Sequence, residues 1–340
     1  MSRSNQRDRA LRVRNGVVDI HVDIYGESPE GGANSRPVIL CVHGWPELSH
    51  SWRHQVAFFV NLGYTVATMD VRGYGNSAKP EAIDGYSLES LAGDVASVAK
   101  EVSDDPVVLF GHDWGAPICY ATALRHPNQI QAVAGLSVPF TPYGDVALLD
   151  VLNTIYAEQF FYILYFQKVG LVEAEVEADM STALKKIYFA LSGDAPHNEW
   201  LKKKPVDAGL LDELTVPEVF PAWMSDADFE IYVEAFTQGG FSGPISRYRA
   251  MSLDETLNMA FRGKKIKQPA CFIAGSKDAV RSYVPGVDGF ANPEVGFDDF
   301  RGATLIEGKG HWIQQEAPAA TNAALKAFMD SLTVQDNKNG

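Results

Sequence analysis

Short apolar segments, each bounded by Gly, Pro or Asp, recur along the first 140 residues of the chain. Val17–Tyr25 alternates apolar and polar positions, which predicts a half-buried edge strand. Other segments are apolar throughout, as is typical of strands that a parallel sheet buries on both faces. These are Val38–Val42, Thr65–Met69, Val107–Phe110 and Ala132–Leu136. Helix-like segments such as Ser51–Val60 and Leu88–Val102 separate them, which predicts a doubly wound α/β domain.

The strand pattern stops near Pro139. The next long segment, residues 140–265, has helical periodicity and many aromatic residues, and it contains no good strand pattern. Beyond it the chain returns to apolar strand segments and then to a predicted closing helix, at Ala270–Ala274, Ala303–Ile306 and Leu325–Leu332. We therefore predict one α/β core domain, residues 1–139 and 266–340, interrupted by a helical cap domain formed by residues 140–265.

The amino-acid composition and net charge indicate which kinds of partner the protein can bind. Hydrophobic residues make up 46% of the chain and charged residues 21%, which is ordinary for a globular protein. The formal net charge of −14 repels phosphate backbones and anionic lipid, so we expect neither a nucleic-acid nor a membrane partner. The short basic run Lys202–Lys204 is followed by Pro205 and is interpreted as a solvated surface.

Cysteine usage and the N-terminal segment bear on the cellular compartment. The three cysteines, Cys41, Cys119 and Cys271, are far apart, lie in or beside apolar runs and lack metal-ligand spacing. The first residues are polar, and no apolar run approaches the ~20 residues needed to cross a bilayer. We expect a soluble cytoplasmic protein with no metal and no cofactor; its oligomeric state is left open, with a homodimer as one option.

The strongest chemical signal lies at the end of the apolar run Val107–Phe110. There Gly111-His-Asp113-Trp-Gly115 leads into a helix-forming segment, which matches the glycine-flanked strand–turn–helix that exposes a catalytic nucleophile. Aspartate occupies the position where serine usually stands. A carboxylate needs no deprotonation at neutral pH and attacks a saturated carbon to give an ester. We weigh this nucleophile against a simple helix-capping aspartate, and the residues downstream favour the nucleophile.

An acid and a histidine follow in the order that such hydrolases use. Asp278 lies in the loop after the predicted strand Ala270–Ala274, and His311 lies in a glycine-rich loop after the last predicted strand. Both loops are expected at the sheet edge that carries Asp113. His311 would then activate water as a general base, and Asp278 would orient its ring. Asp145 is a weaker candidate for the acid.

The segment His43-Gly-Trp45-Pro directly follows another buried strand. A turn of this kind can direct the backbone N–H of Trp45 towards the nucleophile. Together with the backbone N–H of Trp114 it would form an oxyanion hole for the intermediate of ester hydrolysis. His43 itself is interpreted as a structural residue that binds nearby backbone.

These motifs together resemble the α/β-hydrolase-fold epoxide hydrolases, and the resemblance extends from about residue 10 to residue 332. The motifs that carry it are His43-Gly-Trp-Pro46, Arg72-Gly-Tyr-Gly75, the Gly111–Gly115 turn, Asp278 and His311-Trp312. The resemblance implies the α/β-hydrolase fold, with a mostly parallel eight-stranded sheet, helices on both faces and a helical cap inserted after strand 6. It also implies that an epoxide and water are the substrates.

Two cap tyrosines in the family assist epoxide opening as acids towards the epoxide oxygen. The matching positions here are Tyr162, in an aromatic segment from Phe161 to Gly170, and Tyr248, which follows the Gly240-Phe-Ser-Gly-Pro turn. Tyr165 lies three residues beyond Tyr162 on the same helical face, so the sequence alone does not separate these two.

Two other functions remain as alternatives. A haloalkane dehalogenase would use the same three residues, but its halide leaving group favours N–H donors over acidic tyrosines. Many such enzymes carry Asn where this chain has Trp45, whereas Trp114 fits both families; fluoroacetate dehalogenases resemble a further variant with Arg at the position of Trp114. The other alternative is a non-catalytic ligand-binding protein of the same fold, which a complete set of Asp113, Asp278 and His311 disfavours.

Overall fold

The structure is a computed structural model that describes residues 6–26 and 36–336, with the backbone alone for residues 333–336. Within these ranges it contains one eight-stranded sheet. The strands are β1 (Arg9–Asn15), β2 (Val18–Tyr25), β3 (Ile39–Val42), β4 (Val66–Met69), β5 (Val107–His112), β6 (Ile130–Leu136), β7 (Ala270–Gly275) and β8 (Phe300–Ile306). Their order across the sheet is β1-β2-β4-β3-β5-β6-β7-β8.

The sheet is antiparallel at one end and parallel from β4 to β8. The strand β2 pairs with both β1 and β4 in antiparallel register, for example Val13 with Ile20 and Val22 with Met69. The prediction of an edge strand at Val17–Tyr25 is therefore wrong, because β1 covers it. Only one residue of β1, Val13, is buried, so this strand lacks the apolar pattern that marks the others.

The central strands are apolar throughout because helices cover both faces of the sheet. In β3, Ile39 and Cys41 pack with Phe59 and Phe328 on one side, whereas Leu40 and Val42 pack on the other. The first side carries α1 (Arg53–Asn61), the short α11 (Ile313–Glu316) and α12 (Pro318–Asp336), and the second carries α2 (Leu88–Val102) and α3 (Gly115–Arg125). The predicted doubly wound architecture is confirmed. No helix within the described ranges is long and apolar enough to span a membrane.

Between β6 and β7 the chain forms helices and no strand of the sheet. They are α4 (Leu148–Ile155), α5 (Tyr162–Phe166), α6 (Leu171–Glu177), α7 (Met180–Ala190), α8 (Asp226–Gly239), α9 (Ser242–Arg249) and α10 (Met251–Leu257). A buried ion pair of Arg247 with Asp254 ties α9 and α10 to the core. Arg247 donates to the carbonyl oxygen of Tyr86, and Asp254 accepts from the backbone N–H of Leu88 at the start of α2.

The interpretation of Lys202–Lys204 as a solvated surface is wrong for Lys204. Its side chain is buried, and its ammonium group donates to the carbonyl oxygens of Gly209 and Leu210 at 2.9 and 2.8 Å. It also lies 4.0 Å from the ring centroid of Phe160. Burial lowers the pKa of Lys204 to about 8. The residue therefore stabilises a loop between α7 and α8, although the order of charges along the sequence does not reveal this contact.

Candidate active site

Four loops at one edge of the sheet bring the predicted residues together. Trp45 follows β3, Asp113 follows β5, Asp278 follows β7 and His311 follows β8. Because these strands are parallel, their carboxyl ends lie on the same side. The Nε2 atom of His311 is 3.2 Å from Oδ2 of Asp113, and its Nδ1 atom is 3.0 Å from each carboxylate oxygen of Asp278.

Asp113 has an unusual backbone conformation, with a φ angle of 49° in the left-handed region. Aspartate tolerates this region better than most residues. A Cβ atom on Gly115 would collide with the carbonyl oxygen of Val42, and one on Gly44 would collide with Asp113 itself. The flanking glycines therefore permit the close approach of β3 to the turn, and the carboxylate projects from the end of β5.

The two carboxylate oxygens of Asp113 have different partners. Oδ1 accepts a 2.6 Å hydrogen bond from the backbone N–H of Trp45, whereas Oδ2 faces His311. The backbone N–H of Trp114, at the start of α3, donates to no acceptor within the described ranges. The turn that carries Trp45 is held by His43, whose Nε2 atom accepts from the N–H of Val71 at 3.0 Å. One oxygen of the carboxylate is thus held by backbone, and the other is paired with His311.

His311 is almost completely buried between two carboxylates. Burial opposes its protonation, but the charges and hydrogen bonds of Asp278 and Asp113 outweigh burial and raise its pKa well above the usual range. Asp278 also accepts the backbone N–H of Val280 at 3.0 Å, which fixes its orientation. Asp145 does not take part: its carboxylate is exposed and pairs with Arg262 at 3.3 Å.

Two buried carboxylates near His311 escaped the sequence analysis. Glu316 accepts the backbone N–H groups of Gly310 at 2.9 Å and Trp312 at 3.1 Å, on either side of His311. Glu47 lies 2.6 Å from Nδ1 of His112, and Nε2 of His112 donates to the carbonyl oxygen of His311 at 2.7 Å. Both carboxylates therefore hold the histidine loop. In the sequence, His112 lies within the Gly111–Gly115 motif and Glu47 directly follows the His43–Pro46 motif, and these positions are the signal that could have identified them.

The predicted cap tyrosines lie above the carboxylate. The ring of Tyr248 packs edge-on against Trp114 and Trp45, with centroid separations of 5.3 and 5.9 Å, and the ring of Tyr162 is 5.8 Å from that of Tyr248. Both side chains are buried. Burial and the nearby charge of Asp113 raise the pKa of each phenol, so both keep their protons at neutral pH.

In the structure the hydroxyl groups of Tyr162 and Tyr165 have different hydrogen-bond partners. The hydroxyl group of Tyr165 donates to Glu175 at 2.8 Å, whereas that of Tyr162 lies 3.1 Å from the hydroxyl of Tyr283. Tyr283 was not identified from the sequence, since it follows the Asp278 loop with no motif of its own.

A cavity of about 180 Å³ lies beside Tyr162. Its wall includes Phe161, Tyr162, Trp200 and Leu201, with Asn198 and Ser282 among the polar residues. Lys202, Lys203 and Lys204 also line the cavity, so its wall combines aromatic and charged residues.

Comparison with known proteins identifies the family of the chain. Residues 37–200 match the family model described as alpha/beta hydrolase fold. Epoxide hydrolase A of Mycobacterium tuberculosis is 36% identical over 307 residues, which cover 90% of this chain and 94% of that protein.

Solved structures extend the likeness to three dimensions. An epoxide hydrolase from an endophytic Streptomyces superposes with a TM-score of 0.87 at 35% identity, covering 96% of this chain and 95% of that one. Epoxide hydrolase A from Mycobacterium thermoresistibile gives a TM-score of 0.85 at 33% identity, covering 94% and 97%. The chain therefore belongs to the epoxide hydrolases of the α/β hydrolase fold.

Proposed function

We propose that this protein hydrolyses an epoxide to a vicinal diol through a covalent ester on Asp113. The observation that carries the proposal is the pair of buried, protonated tyrosines, Tyr162 and Tyr248, above the reactive carboxylate. Opening an epoxide leaves the oxygen attached to the substrate as an alkoxide, and a neutral phenol can donate a hydrogen bond or a proton to it. The family of the chain supports the same substrate class.

In the first half-reaction, Oδ2 of Asp113 attacks one epoxide carbon. The carbon–oxygen bond of the ring breaks, and its electron pair moves to the ring oxygen. Tyr162 and Tyr248 stabilise that oxygen. Attack by Oδ2 rather than Oδ1 follows from the hydrogen bond that holds Oδ1 on the N–H of Trp45.

In the second half-reaction, Nε2 of His311 takes a proton from water, and the hydroxide attacks Cγ of Asp113. The charge that develops on Oδ1 is stabilised by the backbone N–H groups of Trp45 and Trp114. The Cγ–Oδ2 bond then breaks, and the departing diol oxygen takes the proton from His311. The second proton of the water stays on the new carboxyl group of Asp113, and its return to the cap tyrosine that protonated the alkoxide regenerates both the carboxylate and the neutral phenol.

Ester formation itself prepares His311 for this role. In the free protein two carboxylates raise the pKa of the imidazole. The ester is neutral, so only Asp278 then remains charged beside the ring and the pKa falls. Loss of the Asp113 charge therefore favours the neutral imidazole that the second half-reaction needs as its base.

We assign residues 140–265 to the cap domain and residues 1–139 and 266–340 to the core domain. The support is the run of helices between β6 and β7, which carries both tyrosines, while all four loops below them come from the sheet. A cap of buried aromatic residues would exclude bulk water during ring opening.

Replacing both cap tyrosines should slow ring opening selectively. For the double variant Tyr162→Phe/Tyr248→Phe we expect the alkylation rate to fall by about 100-fold or more, because no acid then faces the alkoxide. Stopped-flow tryptophan fluorescence under single-turnover conditions would separate alkylation from hydrolysis. The matched control is Tyr165→Phe, whose hydroxyl contacts Glu175 instead of the site. An alkylation rate unchanged in the double variant would refute the assignment of these two acids.

Dehalogenation is the second candidate, and one observation favours testing it. Trp45 and Trp200 bury their indole N–H groups without a hydrogen-bond partner in the described part of the chain, and N–H donors suit a halide leaving group. We expect a parallel screen of styrene-oxide-like epoxides and haloalkanes to give diol and no halide. Halide release with no diol would reverse the assignment. Binding of both substrate types without turnover would instead support a ligand-binding protein.

A further inference from the structure

Tyr283 joins the loop of the core acid to a cap tyrosine. It follows Asp278 by five residues, directly after the 3₁₀ turn Ala279–Ser282. Its hydroxyl group is 3.1 Å from the hydroxyl of Tyr162, and its ring lies 5.9 Å from that of Tyr162. The carbonyl oxygen of Tyr283 also accepts a 2.6 Å hydrogen bond from the hydroxyl of Tyr156. Its backbone and its ring are therefore both fixed against the cap.

The chemistry of ring opening decides the direction of the hydroxyl–hydroxyl contact. Tyr162 can assist the epoxide oxygen only if its own proton points at that oxygen. Its phenolic oxygen must then accept, and Tyr283 must donate. Burial raises the pKa of Tyr162, and hydrogen bonds from Tyr283 and Tyr248 oppose that rise. A donated hydrogen bond gains strength as negative charge grows on its acceptor, so its effect is largest while Tyr162 gives up its proton.

We propose that Tyr283 is a positioning residue for ring opening, which donates a hydrogen bond to the phenolic oxygen of Tyr162 and thereby directs the Tyr162 proton at the epoxide oxygen. This inference rests on the proposed role of Tyr162 in epoxide opening. It assigns Tyr283 to the first half-reaction only, since Asp278 and not Tyr283 holds His311 for the second.

A purely structural role for Tyr283 would have a different signature. The residue lies in the loop that supplies Asp278, so a displaced loop would disturb the contact of Asp278 with His311. Ester hydrolysis would then slow together with alkylation. The two half-reactions therefore distinguish a hydroxyl that acts through Tyr162 from a ring that only fills space.

The test is a double-mutant cycle of Tyr162→Phe and Tyr283→Phe in the full chain, with alkylation and hydrolysis rates measured separately on styrene oxide. We expect Tyr283→Phe alone to slow alkylation by about 10-fold or more, the size of a hydrogen bond to a developing charge. In the Tyr162→Phe background the same change should alter alkylation by less than about 2-fold, because its acceptor is gone. Hydrolysis should change by less than about 2-fold throughout the cycle.

Tyr156→Phe is the matched control for loop position, since it removes the contact to the backbone of Tyr283 and keeps the Tyr283 hydroxyl. An alkylation-specific loss of the same size in this control would overturn the inference. So would equal slowing of both half-reactions by Tyr283→Phe, an unchanged alkylation rate, or an effect of the same size in both Tyr162 backgrounds. If Tyr162→Phe itself leaves alkylation unchanged, the proposed acid role of Tyr162 fails first, and that result is visible within the cycle.

Discussion

The variant Asp113→Ala should lose diol formation by roughly 10⁴-fold or more, because it removes the carboxylate that is proposed to form the ester. The carboxylate is nearly buried, one oxygen is bound by the N–H of Trp45, and the other faces His311 at 3.2 Å. Initial rates of diol formation, followed by chromatography at saturating epoxide, would measure the loss.

The companion variant Asp113→Asn separates chemistry from folding. Asparagine also tolerates the left-handed backbone conformation at this position, and its amide oxygen can still accept from Trp45. It should therefore retain the native circular dichroism and thermal stability while remaining inactive. An active Asp113→Ala protein would exclude the covalent mechanism, and an inactive but unfolded Asp113→Asn protein would point to a structural role for the carboxylate.

The variant His311→Gln should separate the two half-reactions and trap the ester. The nucleophile and the cap tyrosines remain in place, so alkylation should continue, whereas hydrolysis should slow by about 10²- to 10⁴-fold without its general base. Intact-protein mass spectrometry after incubation with epoxide should show one added substrate mass per chain. Proteolytic mapping should place that mass on Asp113.

His126→Gln is the matched control, because His126 ends α3 away from the site and the substitution is chemically the same. It should form no lasting adduct and should hydrolyse epoxide at the wild-type rate. An unmodified His311→Gln protein that still produces diol would contradict the role of His311 as base. An adduct on a residue other than Asp113 would contradict the choice of nucleophile.

The fold was largely predictable because its main signals are local. Each buried parallel strand is an uninterrupted apolar run, and the glycine-flanked Asp113 turn needs only five consecutive residues. The order of Asp113, Asp278 and His311 can also be read directly from the sequence. The strand β1 was missed because its outer position requires little apolar surface, and β2 was misjudged because a half-buried alternating pattern does not reveal a neighbour.

The supporting residues of the site depend on contacts between distant segments. Glu316 and Tyr283 carry no motif; their roles come from the backbone N–H groups and the hydroxyl that the fold places beside them. Lys204 looked solvated because the carbonyl groups that surround its ammonium come from a loop that follows it. Tyr162 and Tyr165 share one helical face in sequence, and only their partners distinguish them. Contacts between residues that are far apart in the sequence produce no periodic pattern from which they could be predicted.

The hydrogen bond from Trp45 determines where the oxygen atoms of the diol come from. In the proposed mechanism Oδ2 leaves with the diol, and the oxygen of the attacking water takes its place on Asp113, while Trp45 keeps Oδ1 in position. One hydroxyl oxygen of every diol was therefore delivered to the protein during the preceding turnover, not during its own. In this mechanism the side chain is a reagent that each cycle consumes and solvent water restores.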